Sequence, residues 1–262
     1  MHLNELLEIL NNLFPYKYAF KNDRVGLQLN LGNQKIKNIL VAYELNDEVI
    51  NEAISNNSNL IIVFHPLIYN LLDSIDNNDR VGNLLIKLIQ NNINLYVVHT
   101  IFDTYKFGTN HLIIENLGLE KKENIVDINL EEDIGMGIIA EYTEEIYFED
   151  FLNRCKNLFG GVIKYSCGKN NFIKSVALVG GSGSSFYNDI LNKNIDAFIT
   201  AEISYHNFHR ANGKIWLVDI GHWEMEKFVA KGIYNYLKEN IYNNEINIIC
   251  SNVNTNPIKY YV

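Results

Sequence analysis

KNILVAYELNDEVINEAISNNSNLIIVFHPLIY, residues 37–69, opens on a β-branched apolar run, KNILVAY (37–43). It continues through NDEVINEAI (46–54), where apolar residues recur at helical spacing, and returns to an apolar run in LIIVF (60–64). Strand, helix and strand in so short a span make a βαβ unit, and such a unit places its strands parallel in one sheet. Asn46 or Asp47 can cap the helix by accepting from its free backbone amides, and Glu48 sits in the positive first turn. Pro66 ends the second strand, so His65 projects from its C-terminal edge. In open α/β sheets that edge is where ligands bind.

Outward from this unit the same alternation continues. INLYVVH (93–99), KSVALV (174–179), DAFIT (196–200) and KIWLVDI (214–220) read as buried strands. RVGNLLIKLIQN (80–91), FEDFLNRCKNLF (148–159) and SFYNDILNK (185–193) read as amphipathic helices between them. The strands fall into two blocks, so the expected fold is α/β: two interlinked α/β lobes with mixed, mainly parallel sheets. The first lobe is expected to span 1–125 plus 230–262, and the second 126–229. The intervening region, roughly 104–172, is polar at ENIVDINLEEDIGMG (123–137) and then resumes with GIIAEYTEE, and is expected to cross into the second lobe without a long disordered linker. A long helix at about 223–240 precedes INIICSN (246–252), which is expected to return to the first lobe's sheet.

Composition narrows the function classes. With 262 residues and 47% hydrophobic content, the chain can bury a sizeable core without extra stabilisers. Cys155, Cys167 and Cys250 form no C-x-x-C pair, so neither a disulfide framework nor a zinc knuckle is expected and a reducing, cytoplasmic setting fits. MHLNELLEILNNLFP (1–15) is acidic and amphipathic, with Leu3, Leu6, Leu7, Leu10 and Phe14 apolar, and lacks the basic start of a signal peptide. No apolar run approaches the roughly 18 residues of a membrane span. A net charge of −9 argues against generic nucleic-acid binding, which relies on phosphate neutralisation.

Several strand ends carry chemistry-bearing side chains. His65 follows the second strand, either as a ligand or as a histidine capping a loop. VVHTIFDT places His99 and Asp103 after the next one, where Asp103 can be a metal ligand, a general base or the cap of the following helix. In DIGHWEMEKF, His222 and Glu226 stand at i, i+4, a spacing that stacks both on one helical face. Such a pair either chelates a metal or makes a surface ion pair, while Glu224 points elsewhere. Three of the seven histidines fall at these strand ends, which suggests one shared crevice. LVGGSGSSFYNDI (178–190) is a glycine-rich turn, and Gly181, Ser182 and Gly183 form either an anion-binding nest or a plain turn. It has neither the lysine of a P-loop nor the third glycine of a dinucleotide fingerprint. In TAEISYHNFHRA (200–211), Glu202 and His206 are also i, i+4, and read as an acid–base pair or as a solvated helix face. No G-x-S-x-G elbow is present, so nucleophilic serine chemistry is disfavoured.

Taken together, these motifs resemble the Nif-three-like family, whose members often carry the label GTP cyclohydrolase I type-two homologue. NDRVGLQLN (22–30) is similar to that family's Trp-Asp-Asn-x-Gly-Leu-Gln segment, FHPLIY (64–69) to His-His-Pro, and HTIFD (99–103) to His-Thr-Asn-Leu-Asp. GGSGSSF (180–186) is similar to its glycine turn, TAEISYH (200–206) to Thr-Gly-Asp/Glu-x-x-x-His, and GHWEMEKF (221–228) to Gly-His-Tyr-x-x-Glu. The resemblance covers nearly the whole chain and leaves no room for the extra domain that some relatives insert. It implies a dinuclear metal centre in the cleft between the lobes, and a ring-shaped homohexamer built from dimers. His65, Asp103, His222 and Glu226 are the implied ligands, with Glu226 able to bridge two ions and His99 near the site. Phe64 departs from the pattern, because it stands where the first histidine of the His-His pair would be and cannot donate a lone pair. One well-held ion and a weak or absent second are therefore expected. Arg24 in place of Asn and Glu44 in place of Asp are further departures.

The leading expectation is a divalent-metal-binding protein, with Zn, Fe, Mn or Co at the site, that hydrolyses a nucleotide or related small molecule. Glu202 or His206 would move protons. The alternative is a non-catalytic metal-binding regulatory or interaction protein.

Overall fold

In the computed structural model, which describes residues 1–191, 193–242 and 245–261, the opening βαβ unit lies at the centre of a five-stranded sheet. Across that sheet stand β1 (Gly26–Leu29), β4 (Asn94–Val97), β3 (Leu60–Val63), β2 (Asn38–Ala42) and β11 (Asn247–Cys250). All neighbours are parallel except β1, which runs against β4. β3 and β4 are buried along their whole length, as strands covered on both faces must be. On one face, α2 (Asp47–Ser55) and α3 (Arg80–Gln90) bring Val49, Ile50, Leu84, Leu85 and Leu88 against Leu40, Ile61, Val63, Leu95 and Val97. Asn46 caps α2 by accepting from the Val49 amide at 2.9 Å, and the Asp79 carboxylate caps α3. Phe14, just past α1 (Leu3–Leu13), packs edge-on against Phe102 and against Tyr236 of α10 (Val229–Asn240).

The second sheet has six strands, in the order β5 (Glu120–Asn129), β6 (Ile134–Tyr147), β8 (Phe172–Leu178), β9 (Ala197–Thr200), β10 (Trp216–Asp219) and β7 (Lys164–Tyr165). β8, β9 and β10 are parallel, and the remaining pairings are antiparallel. Ile113, Ile114 and Leu117 of α5 (Thr109–Leu117) and Phe151, Cys155 and Phe159 of α6 (Phe148–Phe159) join Ile138, Ala140, Val176, Leu178, Ile199 and Val218 in its core. Short helices follow three strand ends: α4 (Thr100–Thr104), α8 (Tyr205–Ala211) and α9 (His222–Glu226), while α7 (Tyr187–Leu191) follows a 3₁₀ turn at Ser184–Phe186.

Two compact units result, Met1–Phe102 with Val229–Ile258, and Asp103–Phe228 with the C-terminal residues from Lys259. The boundary differs from the expected one. Residues 103–125 belong with the second unit, because α5 buries its apolar side in that core and β5 pairs along β6. Within the expected crossing, 123–137 lies in the hairpin of β5 and β6. INIICSN does return to the first sheet, with β11 parallel to β2 from Asn247 opposite Asn38. The long helix expected at 223–240 is divided into α9 and α10, with Lys227 and Phe228 between them. Among the described residues no helix is long and apolar enough to cross a membrane.

Candidate metal centre

In the first unit the backbone ladder runs on past the strands. The His65 amide donates to the Tyr43 carbonyl at 3.1 Å and the His99 amide to the Phe64 carbonyl at 2.9 Å, which fixes both histidines at the C-terminal edge. Their rings lie edge to face with centroids 5.4 Å apart. His65 Nδ1 lies 3.8 Å from Glu44, whose other oxygen accepts from Arg80 at 2.9 Å. The His65 imidazole holds the Glu44 carboxyl below its ordinary range against the upward push of burial, and Arg80 reinforces the effect. His99 Nδ1 lies 2.7 and 2.9 Å from the two oxygens of Asp23, which also accepts from the Thr100 hydroxyl and from the amides of Thr100 and Arg24. Phe64 is fully buried, stacked on Tyr43 at 5.9 Å and edge-on to His99 at 5.5 Å.

Burial pushes the Asp23 carboxyl up, but His99, Thr100 and Arg24 together outweigh it and hold the group below its ordinary 3.8. A carboxyl with a depressed folded pKa stabilises the protein above its unfolded value and loses that contribution as pH falls through the folded one. The expected outcome is a loss of stability confined to pH below about 4. Urea melts of wild type and Asp23→Asn across pH 2–7 check it, since the variant lacks that component of the acid slope.

The second unit repeats the arrangement at the C-terminal edge of β8, β9 and β10, where Gly181, Glu202 and His222 stand. His222 and Glu226 meet as their spacing predicts, with Nε2 3.0 Å from the carboxylate. The other ring nitrogen, Nδ1, lies 2.9 Å from Glu202. Glu226 is only 2% exposed. Gly181 makes that position tenable, since a Cβ there would lie 2.3 Å from one Glu226 oxygen and 3.2 Å from His222 Nε2. Asp103 is also buried, on α4. Asn110 ties its backbone to the same loop, donating to the Asp103 carbonyl at 2.8 Å and accepting from the Gly180 amide at 2.8 Å. Asp219, at 1% exposure, accepts from the amides of Ile203 and Gly221 and pairs with Lys164 at 2.7 Å, which locks the turns carrying Glu202 and His222.

Two sequence expectations change here. Glu202 and His206 do not share a helix face: Ser204 caps α8, which starts at Tyr205, and Glu202 lies before it with φ at +57°. His206 is exposed and its ring contacts Tyr205, while Glu202 instead holds His222. In the glycine turn the Gly183 amide donates to the Thr200 hydroxyl at 2.7 Å, and that hydroxyl donates to the Gly181 carbonyl. Asp103 does not cap α5, which begins after Gly108. Asp23 and Asp219 escaped the sequence reading. His99, the partner of Asp23, and Ile203, a partner of Asp219, lie 76 and 16 residues away in the chain, so tertiary structure brings them together.

The residues present fit a metal. A buried carboxylate beside an imidazole, whose far nitrogen is held by a second carboxylate, is how metal-ligating histidines are oriented and kept in one tautomer. His65, His222 and Glu226 supply donor groups of the kind that could hold an ion. Removing the outer carboxylate with Glu202→Ala is expected to weaken divalent-metal binding about 10- to 100-fold, as titration calorimetry would measure.

Residues 1–257 match the family Duf34/NIF3 (NGG1p interacting factor 3). The chain is similar to a Clostridium perfringens protein named GTP cyclohydrolase 1 type 2 homolog, 30% identical over 99% of this chain and 100% of the relative. A Clostridium acetobutylicum protein of the same name is 28% identical over 99% of each. In fold it is similar to a Bacillus cereus protein related to NIF3, with a TM-score of 0.90 at 22% identity over 100% of this chain and 99% of the other.

Proposed function

Because the chain belongs to the Duf34/NIF3 family, we propose that it binds a divalent metal through His65, Asp103, His222 and Glu226 and hydrolyses a nucleotide or related small molecule. The observation that carries the metal reading is His222, held by Glu202 at Nδ1 and facing Glu226 at Nε2. A bound Zn, Fe, Mn or Co ion would supply Lewis acidity and an activated water. The protein's own part is to aim the donors and to move a proton. With Glu202 committed to His222, the proton-moving role falls to His99, oriented by Asp23 and ring-to-ring with His65. The relatives' name supports nucleotide chemistry, and a cytoplasmic, homohexameric protein completes the reading.

Phe64 favours a second reading, a non-catalytic metal-binding regulatory or interaction protein, because an apolar ring replaces one imidazole of a two-metal centre. One experiment separates the two. Phe64→His is expected to raise metal content, by elemental analysis, from about one ion per chain toward two, at about 1–3 kcal/mol of stability for the imidazole it buries. Hydrolysis that appears or rises with the second ion supports the enzyme. Two bound ions with no turnover of any nucleotide tested support the binder.

A further inference from the structure

α9 is a single turn, and so short a helix has no stability of its own. Whatever fixes it in place also fixes the directions of His222 and Glu226. Its anchors are legible in the second unit. The Gly221 amide is held by Asp219, Met225 is fully buried in the core, and Lys227, just past the helix, donates to the Phe159 carbonyl at 2.8 Å. Between the two ligands stands Glu224. Two residues along an α-helix is a rotation of about 200°, so Glu224 occupies the back of the turn whose front carries His222 and Glu226. It is 3% exposed and wedged between glycines: a Cβ on Gly221 would lie 2.4 Å from one of its oxygens, and a Cβ on Gly161 2.9 Å from its Cγ. Its Oε1 accepts a hydrogen bond of 3.0 Å from the Tyr260 hydroxyl.

Tyr260 lies in a C-terminal segment, residues 251–261, with no regular secondary structure, and its neighbour Tyr261 is fully exposed. An irregular segment gains no order from its own hydrogen-bond ladder, so a tyrosine that reaches a buried carboxylate marks a docking point. We infer that Tyr260 is a positioning residue, latching the C-terminal segment onto the back of α9 through Glu224 and so holding His222 and Glu226 in their ligand geometry. This rests on the metal reading above. The latch touches neither ligand. It acts through the helix, by the charge-assisted bond that a carboxylate makes with a hydroxyl donor.

The test uses the full chain in three forms, wild type, Tyr260→Phe and Tyr261→Phe. Affinity for Zn²⁺ or Mn²⁺ is read by competition with a fluorescent chelator, and the unfolding temperature by melting in EDTA. Tyr260→Phe removes one donor to a buried carboxylate, so the metal-free unfolding temperature should fall by no more than a few degrees. Its metal affinity should fall about 10-fold, the lower end of what an outer partner contributes. Tyr261→Phe should bind as wild type does. Equal metal affinity in wild type and Tyr260→Phe would overturn the latch while leaving the metal site standing. Failure of wild type to bind either metal would overturn the site and the latch with it. If Tyr260→Phe lowers the metal-free unfolding temperature well beyond a few degrees, with affinity falling in step, the residue is merely structural and the positioning role is refuted.

Discussion

Replacing Glu226 with alanine is expected to abolish tight divalent-metal binding while leaving the metal-free protein folded. Glu226 sits almost fully buried with His222 as its imidazole neighbour, and the room for its carboxylate exists because residue 181 has no side chain. A partner one step removed from a metal is worth about 10- to 100-fold in affinity, so loss of a carboxylate ligand should exceed 100-fold. Stability reports the loss independently. At a metal concentration about 100 times the dissociation constant, wild type gains about 2.7 kcal/mol by linkage, and the variant gains none. His222 keeps Glu202 in the variant, so its imidazole is not orphaned. The check is a pair of melting curves, with metal and with EDTA: wild type should show a shift of several degrees between them, and Glu226→Ala none.

Asp219→Ala is expected to produce the largest loss of stability of any single change near the site. Its carboxylate accepts from the Ile203 and Gly221 amides, and without it both donors lose their partner. An unsatisfied buried donor costs about 1–3 kcal/mol, so two together give about 2–6 kcal/mol. The Lys164 pair adds little, because that lysine is well exposed and screened by water. For a domain of this size the loss corresponds to a fall in Tm of about 4–24 °C. Because the freed turns carry Glu202 and His222, metal affinity should fall in the same variant. Thermal melts and metal titration check both, and unchanged values in either would show that the turns hold without Asp219.

The fold was largely legible because seven of its strands are continuous apolar runs, which only burial in a sheet accounts for. What escaped were elements whose signal is mixed. β5, reading EKKENIVDIN, is an edge strand whose charges face solvent, and the C-terminal half of β6, EYTEEIY, is largely exposed. β1 is short and only partly buried. The domain boundary followed from missing that hairpin. At the candidate site, residues close in sequence were readable and residues close only in space were not. His222 and Glu226 meet at 3.0 Å because an i, i+4 pair on a helix must. The same rule failed at Glu202 and His206, where Ser204 starts a new helix between them. The glycine turn was recognisable as a turn, but the function of Gly181, to leave room for the Glu226 carboxylate, depends on a residue 45 positions away.

Anomalous diffraction from crystals of the protein grown with Mn²⁺ or Zn²⁺ tests the central claim most directly. The account predicts one strong anomalous peak per chain, within bonding distance of His65, Asp103, His222 and Glu226, with any second peak markedly weaker beside Phe64. A peak coordinated by other residues, or none at these four under saturating metal, would contradict it.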